Sequence, residues 1–70
     1  MTIKHICDIG KIYRLYKLIL PTGVIYSIEA LNDDVWRIID STADTGLLAN
    51  RMIKWGLASD RDQALRLLNR

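Results

Sequence analysis

His5 and Cys7 are the one pair of reactive side chains that stand close together in this sequence, within MTIKHICDIGK at the amino terminus. At i and i+2 on a strand they share a face, with their bases roughly 6–7 Å apart. A nucleophile–base pair works at about 3 Å and needs a third group to orient the base. Structural zinc needs four ligands. The spacing therefore reads as a half-buried strand with an incidental histidine and cysteine. Asp40 and Asp44 stand one turn apart if a helix runs through them, where two carboxylates hold a divalent ion or act as acid and base. Their neighbours are poor helix formers, and the pair reads as solvated. There is no second histidine, no phosphate-cradling glycine loop and no Ser-His-Asp set. This inventory points away from an enzyme and from any metal or cofactor.

A third set is aromatic: Tyr13, Tyr16, Tyr26, Trp36 and Trp55. Exposed rings beside Lys17, Arg51 or Lys54 would stack on bases. The simpler assignment places Tyr16, Tyr26 and Trp36 in the core, with Trp55 covering it. No cluster reproduces an RNA-binding sheet motif.

The elements that position these residues start with Ile12–Leu31, which holds most of the β-branched and aromatic residues and reads as two strands. A type I turn at Pro21-Thr22, followed by Gly23 as a left-handed bulge residue, closes them. That register pairs Leu20 with Val24, Leu18 with Tyr26, Tyr16 with Ile28 and Arg14 with Ala30. One face then collects Tyr16, Leu18, Leu20, Val24, Tyr26 and Ile28, the natural core face. The other collects Leu15, Lys17, Ile19, Ile25, Ser27 and Glu29, more apolar than a solvated face needs. Thr2–Ile9 alternates loosely and suits a short first strand, with turn chemistry at Asp8-Ile9-Gly10-Lys11.

Asn32 is a good N-cap, and Asp33 and Asp34 suit the positive end of a helix dipole. Val35, Ile38 and Ile39 follow at helical spacing. Leu48, Met52 and Trp55 form a second stripe, roughly 130° away if one straight helix carried both. The poor helix formers between Thr42 and Gly46 favour a break or kink there over one continuous helix with two apolar partners. Gly56 stands where a left-handed C-terminal cap belongs. Ser59 or Asp60 then caps a last helix, Arg61 to Asn69, with Ala64, Leu65 and Leu68 as its apolar face and Leu67 broadening it.

A 70-residue chain is one domain that buries only about 60% of its unfolded surface. Its single cysteine allows no intrachain disulfide, yet 50% of its residues are apolar. Some of that apolar surface is expected to be shared with another copy or a partner protein. No run is long enough for a membrane span, and no secretory leader is evident, so a cytoplasmic location is the expectation. Net charge is +2. Its distribution is basic in residues 1–31, acidic in 32–50 through Asp33, Asp34, Asp40 and Asp44, and basic again in 51–70. The simplest reading is complementarity within the molecule; the other is a basic carboxy-terminal patch for an anionic partner.

The segment Gly56-Leu57-Ala58-Ser59-Asp60-Arg61-Asp62-Gln63-Ala64-Leu65-Arg66-Leu67-Leu68 resembles the second-helix region of ribbon-helix-helix repressors and antitoxins. Gly56, Asp60, Arg61, Gln63, Ala64, Leu65 and Arg66 occupy that family's places for the glycine, cap, basic, amide, small, aliphatic and Arg residues. A strand before a helix, here Val24–Leu31, also fits. The resemblance implies an intertwined dimer whose paired strands enter the DNA major groove while the start of the second helix grips phosphate.

The fold expected is α+β: an antiparallel hairpin or three-stranded meander, then two or three helices packed on one face, within a single domain spanning residues 1–70. The function expected is a small non-enzymatic protein-interaction module that associates with itself. Its contacts would be Leu15, Ile19 and Ile25, with Leu48, Met52 and Trp55 as a second stripe. The alternative is a dimeric DNA-binding regulator using Arg51, Lys54, Arg61 and Arg66.

Overall fold

Strand formers dominate the first 42 residues, and tight turns fold them back on themselves. In the computed structural model, which describes residues 1–70, they make four strands: β1 (Thr2–Ile9), β2 (Tyr13–Leu20), β3 (Gly23–Asn32) and β4 (Val35–Thr42). These pair antiparallel in chain order as one meander. Two helices follow, α1 (Thr45–Lys54) and α2 (Arg61–Leu68). The class is α+β with the helices after the sheet, as expected, and the sheet has one strand more than a three-stranded meander.

The fourth strand replaces an expected helix. Asn32 pairs with Val35, and Asp33 and Asp34 form the two-residue turn between them at φ 52° and 62°. Both values lie in the left-handed region that a type I′ hairpin turn needs and that aspartate tolerates better than most residues. Val35, Trp36, Ile38, Ile39 and Thr42 are β-branched or aromatic and suit a pleated ladder. Asn32 is therefore a strand end, and Asp33 and Asp34 are turn residues, not the first turn of a helix.

The central hairpin is offset by one residue from the expected register. Pro21-Thr22 is a two-residue turn, and Gly23 enters the ladder opposite Leu20 in place of acting as a bulge. Leu18 then faces Ile25, Tyr16 faces Ser27 and Leu15 faces Ile28. Because side chains alternate with period two, this offset sends β2 to the opposite side of the sheet relative to β3. Leu15, Lys17 and Ile19 share a face with Val24, Tyr26 and Ile28, while Tyr16, Leu18 and Leu20 share the other with Ile25, Ser27 and Glu29.

Both outer strands carry one extra residue. Ile6 is skipped between the pairs His5–Tyr16 and Cys7–Leu15, and Ile39 between the pairs Ile38–Glu29 and Asp40–Ile28. Each bulge resets the alternation, so residues on either side of it that look in phase point to opposite faces.

The chain does break between Thr42 and Gly46, as the poor helix formers suggest, but between a strand and a helix. The Asp44 carboxylate accepts from Leu47 N at 3.1 Å and caps α1. Gly56, at φ 76°, ends it: Leu57 N donates to Met52 O at 2.8 Å and Gly56 N to Ile53 O at 3.1 Å, a Schellman pair. Asp60 caps α2, accepting from Gln63 N at 2.8 Å, while Ser59 N donates to Gln63 Oε1 at 2.6 Å.

The core lies between one sheet face and the helices. Leu15, Tyr26 and Ile28 supply the sheet side; Leu48, Ala49 and Met52 of α1, Leu57 and Ala58 of the connection, and Ala64 and Leu68 of α2 supply the other. Leu15, Leu48 and Met52 are fully buried within one chain. They were expected at a partner contact; the two-residue turn and the re-phased helix make them core residues.

Candidate functional site

The helices cover one face of the sheet and no element of the chain covers the other. Alternation and the two bulges assign this open face Ile3, His5 and Asp8 from β1, Arg14, Tyr16, Leu18 and Leu20 from β2, Ile25, Ser27, Glu29 and Leu31 from β3, and Trp36, Ile38 and Ser41 from β4. Two isoleucines on the outer strands stand out: Ile3 is 63% exposed and Ile38 64%. Together with Met1, Tyr16, Leu18, Ser27 and Glu29 they line a shallow hollow of about 380 Å³.

The polar groups of this face divide it in two. At the end where β1 meets β2, His5 Nε2 donates to Asp8 Oδ1 at 2.8 Å, and its ring meets Tyr16 edge-on with centroids 5.3 Å apart. The Arg14 guanidinium lies 3.9 Å from Asp8 and 3.8 Å above the Trp36 ring. Such a stack over tryptophan is worth about 0.5–1 kcal/mol at an exposed site. Glu29 stands between Arg14 and Ile38 in the same row, and the next row sets Ser27 and Ser41 beside Tyr16, their hydroxyls sharing a hydrogen bond across β3 and β4 at 3.1 Å; beyond them lie Ile3, Leu18, Ile25 and Leu20. One end thus carries Asp8, Arg14 and Glu29, and the other is uncharged and apolar.

The expected contact residues are dispersed. Ile25 lies on the open face, half-buried. Ile19, 41% exposed, is on the helix side at the far end of the sheet, and Trp55, 38% exposed, is the C-cap of α1. Leu15, Leu48 and Met52 present no surface. The expected set therefore does not assemble into one patch. Ile3, Leu18 and Ile38, apolar residues that the open face leaves accessible, lie outside the expected set. Reading Asn32-Asp33-Asp34 as a hairpin turn would have revealed the fourth strand, and with it Ile38.

The basic set divides as well. Arg51 Nη1 donates to Asp40 Oδ1 at 2.5 Å and ties α1 to β4. Arg61 Nη1 donates to Asn50 Oδ1 at 3.0 Å, and its Nη2 passes so close over Gly46 that a Cβ there would sit 2.9 Å away. Both arginines hold the helices in place. Lys54 and Arg66 are exposed and make no ion pair.

The pairs with catalytic potential come apart. The Ile6 bulge turns His5 to the open face and Cys7 to the helix face, so they do not share a side. Burial pushes the Cys7 thiol above its ordinary pKa, and the Asp8 charge adds to this, against the nearby Arg70. That favours an inert thiol over a nucleophile. Asp40 is bound to Arg51 and Asp44 is an N-cap, so neither is free for the other. No group of three potential metal ligands exists in the chain. No helix of the chain is long and apolar enough to cross a membrane.

Comparison with protein-family models, with curated proteins and with solved structures finds no match to this chain.

Proposed function

We propose that this chain is a small non-enzymatic interaction module that docks a protein surface against its open sheet face. The observation that carries this is the placement of Ile3 and Ile38, both about two-thirds exposed, on either side of Tyr16 and Leu18. A two-layer domain ordinarily leaves charged or polar residues on the outside of an antiparallel sheet. Contiguous apolar surface of this kind marks an interaction site. The separation of His5 from Cys7 and of Asp40 from Asp44 supports the non-enzymatic part of the reading.

The test is the native mass of the complex that contains the chain. Tagged wild type recovered from its source should elute well above the 8.0 kDa of one chain, and Leu18→Glu or Ile38→Glu should return it to that mass. Elution at 8.0 kDa by the wild type, or no response to either variant, would refute docking through this face.

A second reading, a dimeric DNA-binding regulator, rests on one specific observation. The order β4–α1–α2 is strand, helix, helix, and it ends in the segment that resembles ribbon-helix-helix regulators. Val24–Leu31, the strand expected before the helix, is followed by β4, so in this reading β4 takes its place as the DNA-reading strand, Arg66 and Lys54 contact phosphate, and two chains pair. Two features weigh against it. Residues that an intertwined dimer would bury between copies, among them Leu48, Met52 and Leu68, are already buried within one chain. On β4, Arg37 is the only cation and is accompanied by Asp40. Duplex binding that weakens steeply between low and moderate salt in a gel shift would favour it.

A further inference from the structure

Docking through the open face leaves open what docks there. We propose that the occupant is a second copy of this chain, packed face to face about a two-fold axis through the uncharged half of the sheet. This inference rests on the docking reading above and adds the identity of the partner.

Charge is the first argument. The open face holds three formally charged side chains, Asp8, Arg14 and Glu29, all in one half, and Arg14 is already engaged by Asp8 and Trp36. The other half offers Ile3, Leu18, Leu20 and Ile25, bordered by the mutually bonded Ser27 and Ser41, while Ile38 of β4 stands opposite Glu29 at the margin of the charged row. A strongly charged partner finds no counter-charge there. A nucleic acid would meet one arginine against two carboxylates. A surface equally apolar and uncharged is the complement, and this chain carries one. A two-fold axis through that half turns the two charged ends outward, away from each other, which gives an apolar centre with a polar rim.

Edge geometry is the second argument. A four-stranded sheet with two free edges could also associate by adding strands. Here both outer strands carry a bulge, at Ile6 and at Ile39, and bulged edges resist strand addition. Association through the face closes after two copies, whereas association through edges would continue.

Area is the third. A stable interface takes about 800 Å² from each partner. The chain measures 33 × 29 × 17 Å, so an interface of that size takes most of the open face, with the uncharged half at its centre and the charged row at its rim.

Sedimentation equilibrium on the purified chain, without any other protein, tests this at concentrations up to about 100 µM, the range where a weak specific dimer is still populated. The wild type should approach twice 8.0 kDa, and Ile38→Lys and Leu18→Glu should each return it to 8.0 kDa, a twofold loss of mass. Ile38 is too exposed for its replacement to unfold the chain, and circular dichroism checks Leu18→Glu. Lys54→Glu, on the helix side, should leave the dimer intact. A wild type of 8.0 kDa throughout overturns the second-copy assignment, and if the native complex still responds to the same variants, docking of a different protein survives. A dimer indifferent to both open-face variants uses another surface and overturns the assignment as well. A dimer lost in Lys54→Glu alone would do the same.

Discussion

The two faces of this sheet are built from the same four strands yet have opposite fates. On the helix side Leu15 and Ile28 face each other across β2 and β3 and lose all contact with water. On the open side Leu18 and Ile25 face each other three residues further along and are only half-buried, with Ile3 and Ile38 more exposed still. Residue type does not separate the faces, since both are rich in leucine and isoleucine. What separates them is which one receives α1 and α2. The helices go to the face where Asp40 of β4 can meet Arg51 of α1 and where Met52, Leu48 and Leu68 find Leu15 and Ile28. The open face is a core face without its second layer.

The largest expected effect follows from that contrast. Leu15→Ala should destabilise the chain by about 2–5 kcal/mol in urea unfolding, since it removes a fully buried side chain from a packed core. Ile38→Ala, at a dilution where copies separate, should change stability by no more than about 0.5 kcal/mol. Equal effects from the two would mean that the faces are not as different as the burial shows.

Much of this arrangement is legible in the residues, and the parts that are not have identifiable physical causes. The hairpin at Pro21, the break near Thr42–Gly46, the cap at Gly56 and the cap at Asp60 follow from local chemistry, because turns and caps depend on one or two side chains. The helix faces are legible for the same reason: Ala64 and Leu68 are buried as their spacing requires. Register is different. Whether Gly23 is a bulge or a ladder residue shifts the pairing by one, and that shift exchanges the two faces of β2. The bulges at Ile6 and Ile39 are set by pairing with neighbouring strands, so no local pattern announces them. Without them His5 and Cys7 read as neighbours, and Val35, Ile38 and Ile39 read as a helix stripe. The candidate site is least legible, because it depends on both register and bulges.

The ion pair between the layers gives a second test of why the helices choose their face. The Asp40 side chain is 9% exposed and its second oxygen has no hydrogen-bond partner, whereas the Arg51 side chain is 41% exposed. Removing the arginine leaves a buried carboxylate without its cation. Arg51→Leu should therefore cost about 1–3 kcal/mol, less than a fully buried pair because water reaches the guanidinium. Replacing both partners, as Asp40→Leu with Arg51→Leu, should recover most of that loss. No recovery in the double variant would mean that the pair specifies which face the helices cover.

The turn before β4 permits a smaller change in the stabilising direction. Asp34 holds φ at 62° in the β3–β4 turn. Glycine takes that conformation without steric cost, and Asp-Gly is a preferred type I′ pair. Asp34→Gly should raise stability by about 0.5 kcal/mol, after the added chain entropy of glycine is subtracted. Loss of stability would argue that the Asp34 carboxylate makes an interaction that φ alone does not reveal.

The smallest effect distinguishes the faces by chemistry. Cys7 is on the helix side, and burial raises its thiol pKa above the ordinary 9.0. The folded chain then holds the thiol proton more tightly than the unfolded chain. The resulting stability is fully present below pH 9 and disappears as pH rises through the higher folded value. Between pH 8 and 10 the urea midpoint of the wild type should fall slightly more than that of Cys7→Ala. Alkylation at pH 8 should be slower for folded Cys7 than for the chain in urea. A cysteine placed on the open face, Leu18→Cys in a Cys7→Ala background, has no helix above it. At a dilution where copies separate it should react at close to the unfolded rate, and at higher concentration a second copy would slow it. One reagent thus measures the cover that α1 and α2 give to one face and whether a second chain gives the same to the other.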